Sequence, residues 1–245
     1  MTEKSKFSVK FAETEEEKRA TYALRYRDMI LEYRRDAAHQ DGLDITEYDE
    51  YGKQVICIDN ETGEVVGCYR IIASDDLPQG KRFICEEEFN LDTLKATGEK
   101  IAELSRAVVK REYRNSVVLM LLLRFIMQYI REKEYRFIVG DASFFGTDKN
   151  EYVKELSYLT HYCAADDKYG IVAREEYQIT PIAMEELAAA EIKRSMPPLI
   201  RAYLSFGAKV SKQSYTDREF GSVDVFVLMD MKDCNEAYIK RLLRL

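Results

Sequence analysis

The sequence predicts a mixed α/β (α+β) fold, and three observations carry that prediction. Phe7, Val9 and Phe11 alternate with polar residues, as a half-buried strand requires. Residues 54–59 and 64–73 are strand-like runs joined by Asn60-Glu61-Thr62-Gly63, a hairpin turn. Residues 101–109 and 136–142 are two more apolar runs of strand length, and the helix-length apolar stretch 117–133 lies between them. Such a strand–helix–strand unit supplies the crossover that parallel strands need.

The remaining elements follow in order. Thr14 with Glu17 three residues on forms a capping box, which predicts a helix from there to about residue 35. Its inner face would carry Ala20, Ala23, Leu24, Ile30 and Leu31. Residues 36–52 read as a polar, acidic connection, and 81–100 as mixed structure with one short helix over 91–97. A turn falls at 113–116. Arg124, Gln128 and Arg131 form one polar stripe on the 117–133 helix. Further helices are expected at 150–163 and 184–194, another starts at Pro197-Pro198, and strands are expected at 208–211 and 223–229. The acidic runs Glu15-Glu16-Glu17 and Glu86-Glu87-Glu88 read as solvated surface.

Composition narrows the function classes. The chain has 245 residues, 46% of them hydrophobic and 33% charged, which suits a globular protein with a real core. With 37 Lys+Arg against 44 Asp+Glu, its net charge of −7 opposes general nucleic-acid binding. The five cysteines are odd in number and dispersed, so reduced, mostly buried thiols and a cytoplasmic location are expected. His39 and His161 are the only histidines and no Cys-x-x-Cys occurs, so no metal site is expected and a serine hydrolase is a poor fit. No signal peptide is visible. The longest apolar run, 117–123, is far short of the roughly 20 residues a membrane span needs.

Residues 102–135 hold the most chemistry. A strand bearing Glu103, Ser105 and Arg106 runs into Lys110, Arg111 and Arg114, just before a helix N-terminus. Free N–H groups and three cations there suit a phosphate or an acidic protein; the plain alternative is a basic surface turn. Glu103 and Arg106 are three apart and point to opposite faces unless a bulge intervenes. Glu103 reads either as half of a buried ion pair or as a base or orienting group. Arg70 shares a face with Val66 and Cys68, so it needs an acid, for which Asp49, Glu103 or a ligand carboxylate would serve. Arg25 and Arg27, with Tyr22 and Tyr26, decorate the first helix. Ser143 ends a strand, where ligands of open α/β sheets gather.

Leu24-Arg25-Tyr26-Arg27, Gly67-Cys68-Tyr69-Arg70 and Glu103-Leu104-Ser105-Arg106 occur in the order and spacing of one branch of GNAT-fold acyltransferases. That branch comprises acyl-homoserine-lactone synthases, N-acyl amino acid synthases and hemolysin-like ornithine N-acyltransferases. The stretch Asp141-Ala142-Ser143-Phe144-Phe145-Gly146-Thr147-Asp148, with Leu156-Ser157-Tyr158-Leu159, Met196-Pro197-Pro198, Phe206-Gly207-Ala208 and Asp217, resembles the hemolysin-like subgroup. The resemblance spans roughly residues 7–230. It departs from acetyl-CoA-using GNAT enzymes at Arg111-Glu112-Tyr113-Arg114-Asn115-Ser116-Val117, which has no glycine to bring the backbone close to a pyrophosphate. The resembling branch likewise lacks that glycine pattern and takes acyl groups from acyl carrier protein.

The resemblance implies a GNAT-like twisted mixed sheet flanked by helices. Residues 1–175 would form the acyltransferase core, and 176–245 a C-terminal extension that completes the sheet and covers the acyl and acceptor pocket. It implies N-acylation: a fatty acyl group passes from a phosphopantetheine thioester, on acyl carrier protein or CoA, to the amine of an amino acid or similar small acceptor. Glu103 and Arg106 are the expected catalytic residues, with Glu103 as general base directly or through a water. Arg70, Asp49, Arg25 and Ser143 would bind the acceptor. Val108, Val109, Lys110, Arg111 and Arg114 would bind the phosphopantetheine arm or its carrier. Val118, Leu122 and Phe145 line an acyl tunnel or are plain core. Acyl carrier protein is the expected partner, with no permanently bound cofactor, no nucleic acid, no transmembrane segment and at most transient contact with a membrane surface. Rival readings are a short-chain acyl-CoA N-acyltransferase, a lactone synthase that uses S-adenosylmethionine, and a non-catalytic lipid- or carrier-binding module.

Overall fold

The computed structural model describes residues 5–34 and 41–244 and divides the chain into two units. The first comprises Met1–Gln79, Leu104–Glu134 and Arg241–Leu245; the second comprises Gly80–Glu103 and Tyr135–Lys240.

In the first unit β1 (Phe7–Phe11) runs antiparallel to β2 (Lys53–Asp59), and β2 antiparallel to β3 (Glu64–Ala73). The Leu104–109 part of β5 (Ile101–Val109) lies beside β3. Gly63 closes the β2–β3 hairpin at φ +74°, a left-handed conformation that glycine adopts without a Cβ clash. α1 (Glu15–Arg25) begins on the Thr14–Glu17 capping box and continues through one π-helical stretch, Tyr26–Ile30, into α2 (Leu31–Tyr33). α4 (Val118–Glu132) lays Val118, Leu122, Ile126 and Ile130 on the sheet. It comes so close to β3 that a Cβ at Gly67 would stand 2.6 Å from Val118 Cγ1 and 3.0 Å from Leu122 Cδ1. Val55, Ile56, Val66, Cys68 and Ile72 complete this core.

In the second unit residues Ile101, Ala102 and Glu103 of β5 pair in parallel with the start of β6 (Phe137–Phe145). β6 runs antiparallel to β9 (Ser222–Asp230), and β9 antiparallel to β8 (Lys209–Asp217), so the order is β5-β6-β9-β8. Every residue of β9 is buried. β4 (Phe89–Asn90) pairs with β7 (Val172–Ala173), and α3 (Asp92–Lys95) follows β4. The other helices are α5 (Val153–Tyr162), α6 (Ala189–Ser195), α7 (Pro198–Ser205) and α8 (Glu236–Leu243), whose last residues belong to the first unit.

The two units together hold the mixed α/β fold that the sequence predicts, with parallel β5–β6 pairing where a crossover helix was expected. Several elements differ. Ala20 is exposed, and Thr21, Leu24 and Arg25 are the buried side of α1, because the buried arginine turns that helix toward its acids. The predicted end of the first helix at residue 35, the first part of the 36–52 connection and His39 lie outside the described residues. The 184–194 helix is a short 3-10 turn, Met184–Glu186, followed by α6. The 208–211 strand runs on to Asp217, past a register shift between Val210 and Ser214 that breaks the alternation. Glu86-Glu87-Glu88 is not a solvated run. Glu86 is buried, capping the Phe83 N–H and pairing with Lys95, and Glu88 is half-buried. Cys57, Cys68, Cys85 and Cys163 are buried thiols, and burial pushes Cys57 and Cys68 up to about 12. Among the described residues no helix is long and apolar enough to cross a membrane.

Candidate functional site

The first unit concentrates charge around three arginines. Arg25 and Arg70 are both 0% exposed. Arg25 Nε donates to Asp44 Oδ2 at 2.7 Å, and its two Nη atoms donate to the two carboxylate oxygens of Asp49 at 2.8 and 2.9 Å. Arg70 Nη1 donates to Asp49 Oδ1 at 2.9 Å and Thr46 Oγ1 at 2.7 Å, and Arg70 Nε donates to Ser105 Oγ at 3.1 Å. Arg106 Nε donates to Asp44 Oδ2 at 3.0 Å. Gln54 bridges Arg25 and Asp49.

Three guanidiniums on two carboxylates leave this network one positive charge in surplus. Burial works against the charge on Asp44 and Asp49, but Arg25 with Arg106 outweighs it at Asp44, and Arg25 with Arg70 at Asp49. Both carboxyls sit below the usual carboxylate range. Burial, and after it repulsion from Arg106, draws Arg70 down to about 10. Arg70 Nη2 is buried and has no hydrogen-bond partner among the described residues. A buried guanidinium with one idle N–H edge is a place for an anion.

The strand that supplies Arg106 is distorted there. Arg106 has φ +54°, a conformation that costs a non-glycine residue of order 1–3 kcal/mol and marks sites held under constraint. This local kink, which the three-residue spacing left open, aims Arg106 at Asp44.

The cations after β5 have partners of their own. Lys110 Nζ meets both carboxylate oxygens of Glu64 at 2.7 Å. Arg114 binds Glu32 with two nitrogens and the Asp28 carbonyl with one. Arg111 is exposed, and its backbone N–H donates to Asp28. Val108 is buried and Val109 half-buried at the end of β5. Val118 and Leu122 are core residues against Gly67, whereas Phe145, in the other unit, is exposed.

The second unit carries a face of acids. Glu103 is 1% exposed, and both its oxygens are occupied: Oε2 accepts the Ile84 N–H at 2.9 Å and Oε1 the Cys85 N–H at 2.7 Å. It therefore pins the 3-10 turn Ile84–Glu87 to β5. Its register partner on β6 is Val139, and Asp141 and Ser143 follow on the same face. Asp224, opposite Ser143, accepts the hydroxyls of Ser143 and Ser222. Carboxylate oxygens of Glu88, Asp217 and Asp224 lie within 4.8 Å of one another. Burial, then mutual repulsion, pushes Glu88 up to about 11, Asp224 up to about 6 and Asp141 well above its ordinary range.

The structure thus joins Arg25, Asp49, Arg70 and Arg106 in one network. Lys110, Arg111 and Arg114 stand in the same unit with separate partners, and Glu103 and Ser143 belong to the acid face of the other. Sequence reasoning did not single out Gln54, Thr46, Glu88 or Asp224. The usable signal for Asp224 was an acid inside a nine-residue strand of otherwise mostly apolar residues.

Comparison with known proteins converges on one family. A family model described as an acetyltransferase (GNAT) domain matches residues 24–124. L-ornithine N(alpha)-acyltransferase of Rhodobacter capsulatus is 29% identical over 240 residues, which cover 95% of this chain and 93% of the relative. The protein of the same name from Brucella abortus is 30% identical over 183 residues, 73% of this chain and 65% of the relative. Among solved structures, TofI in a ternary complex with an inhibitor and MTA superposes at a TM-score of 0.50 and 13% identity, covering 98% of this chain and 97% of TofI, a likeness of fold. The ordered motifs, the GNAT family model over residues 24–124 and a relative matched along nearly its whole length support the GNAT-fold N-acyltransferase branch, and the chain is an acyltransferase.

Proposed function

We propose that this protein moves a fatty acyl group from the phosphopantetheine thioester of an acyl carrier protein to the α-amine of a basic amino acid, with L-ornithine as the acceptor named for its relatives. The observation that carries the reading is Arg70: a fully buried guanidinium, set in a network with surplus positive charge, that keeps one nitrogen unpartnered. An acceptor carboxylate is the group that such an edge binds.

In the reaction the neutral amine nitrogen attacks the thioester carbonyl carbon. A C–N bond forms, the C–S bond breaks, the thiol leaves, and the amine loses a proton. Backbone N–H groups between Ala107 and Val109, beyond the kink at Arg106, would stabilise the tetrahedral oxyanion. Arg106 and Arg70 fix the acceptor side, while Asp49 and Arg25 hold those two arginines in register. Glu103 receives the proton through a water, on a lone pair that its two backbone N–H contacts leave free. Lys110, Arg111 and Arg114 would meet the acidic carrier, exchanging Glu64 and Glu32 for its charges.

The test is to incubate the protein with a long-chain acyl carrier thioester and a mixture of amino acids, and to identify the acylated product by mass. N-acylornithine is expected, formed faster from the carrier than from a CoA thioester of equal chain length. Acylation of no amino acid, or a lactone product with S-adenosylmethionine, would overturn the reading.

A further inference from the structure

The acids of the second unit have no counter-charge among the described residues. On one face of β6, β9 and β8 stand Asp141, Asp224 and Asp217, and Glu88 reaches them from the segment before β4, where Phe89 packs on Phe226 with ring centroids 5.7 Å apart. Asp224 is 2% exposed, and its Oδ1 has no hydrogen-bond partner among the described residues. Asp141 Oδ1 and Glu88 Oε2 are buried and unpartnered as well. No ion pair among the described residues neutralises any of these four carboxyls. Burying unpartnered carboxylate oxygens side by side is costly, and a cation removes that cost.

We infer that Glu88, Asp141, Asp217 and Asp224 form the subsite for the side-chain ammonium of a diamino-acid acceptor. This inference rests on the proposed function and adds to it the residues that select a basic acceptor. An ammonium has three N–H donors. Two of the three orphaned oxygens, on Glu88 and Asp224, belong to carboxylates grouped closely with Asp217, and the third, on Asp141, stands further along the same face. An ammonium nitrogen about 2.8 Å from each of three oxygens spaces them about 4.6 Å apart, and the oxygens of Glu88, Asp217 and Asp224 stand within 4.8 Å of one another. The same face leads from Asp224 through Ser143 and Asp141 to Glu103, so the subsite is continuous with residues expected to act on the acceptor. A small cavity of about 20 Å³ on the opposite face of β8 and β9, lined by Leu156, Ser211 and Val225 among others, holds one water at most and does not compete for this role.

The test compares L-ornithine with L-norvaline, the same carbon skeleton without the side-chain amine, by calorimetric binding and by acylation kinetics on the full chain. The wild type should prefer ornithine, and Asp224→Asn should cut that preference about tenfold or more. Asp217→Asn, at a half-buried position, should move it the same way and keeps the test decisive if the first variant fails to fold. A wild type without preference, folded variants that keep the full preference, or variants that lose both amino acids equally would overturn the subsite. So would a stoichiometric divalent metal, found by elemental analysis in the wild type and lost from the variants. If neither amino acid is acylated but ornithine binds preferentially and the variants erase that preference, the subsite stands and the proposed reaction falls. If ornithine is acylated and the variants keep the preference, the reaction stands and the subsite falls.

Discussion

The two units bury charge in opposite ways. In the first, Arg25, Arg70 and Arg106 close around Asp44 and Asp49, so nearly every buried charge has a counter-charge within hydrogen-bond reach. In the second, Glu88, Asp141, Asp217 and Asp224 meet, among the described residues, serine hydroxyls, backbone groups and one another. The first arrangement stabilises the fold, because opening it strands a charge. The second strains the fold until a cation or a proton arrives. An acid buried beside arginines thus serves structure first, whereas acids buried beside each other point outward to a ligand.

One chemical change, aspartate to asparagine, separates the two regions most sharply. Asp49→Asn removes the acceptor shared by Arg25 and Arg70, and should destabilise the protein by about 3–5 kcal/mol in denaturant unfolding. Asp224→Asn keeps the shape and the serine contacts but removes a repelled charge, so it should stabilise by about 1–2 kcal/mol. If the two changes move stability in the same direction, the contrast is wrong.

Acid should also tell them apart. Asp224 and Glu88 have folded pKa values above their unfolded ones, at about 6 and about 11. The stability they contribute is full below about pH 4 and is lost as pH rises through those values. Asp44 and Asp49 are depressed, so their contribution is present above about pH 4 and lost as pH falls below it. The thermal midpoint should therefore rise as pH is lowered from 8 to 5 and fall steeply below about 4. Asp224→Asn should flatten the upper limb and leave the lower one. A wild-type midpoint that does not change between pH 5 and 8 would refute the strained-acid account.

A smaller effect probes the packing of the first unit. Gly67→Ala places a methyl 2.6 Å from Val118 Cγ1, so it should cost about 1–3 kcal/mol, because that side chain is itself locked in the core. The cost should fall when Val118→Ala is added, and unfolding of the double variant reads this directly.

How much of this was legible in the sequence follows from how far each feature depends on pairing. The β2–β3 hairpin, the Thr14–Glu17 cap and the helix between β5 and β6 rest on neighbours in sequence, and they stand where the pattern put them. The need of Arg70 for an acid followed from alternation alone, and Asp49 was among the expected partners. The π-helical stretch at Tyr26–Ile30 and the kink at Arg106 left no local mark, since both are imposed by packing. Glu88 was hidden inside an acidic run that looks like surface. Asp224 sat in a strand whose alternation suggests one wet face, yet β9 is covered on both sides. An acidic face assembled from β6, β8, β9 and a loop before β4 becomes visible only when strand order and register are known.

The weakest expected effect on stability bears on the cations after β5. Arg114 is about two-fifths exposed and bound to Glu32 at 2.5 Å, and an exposed pair of this kind contributes at most about 1 kcal/mol. Arg114→Ala should therefore hardly move the unfolding midpoint, in contrast to Asp49→Asn. Its catalytic effect should depend on the donor. With an acyl carrier thioester, kcat/KM should drop and its dependence on salt should weaken, because a steering charge is gone. With a CoA thioester of equal chain length the drop should be smaller, since CoA brings no acidic protein surface. Equal losses with both donors would mean that the cation serves the phosphate they share, and no loss with either would make it a structural clasp on the Asp28–Glu32 turn. A positive charge that stabilises little in the folded chain is one the chain can lend to a partner, which is the reverse of what Arg25 does a few residues away from the same turn.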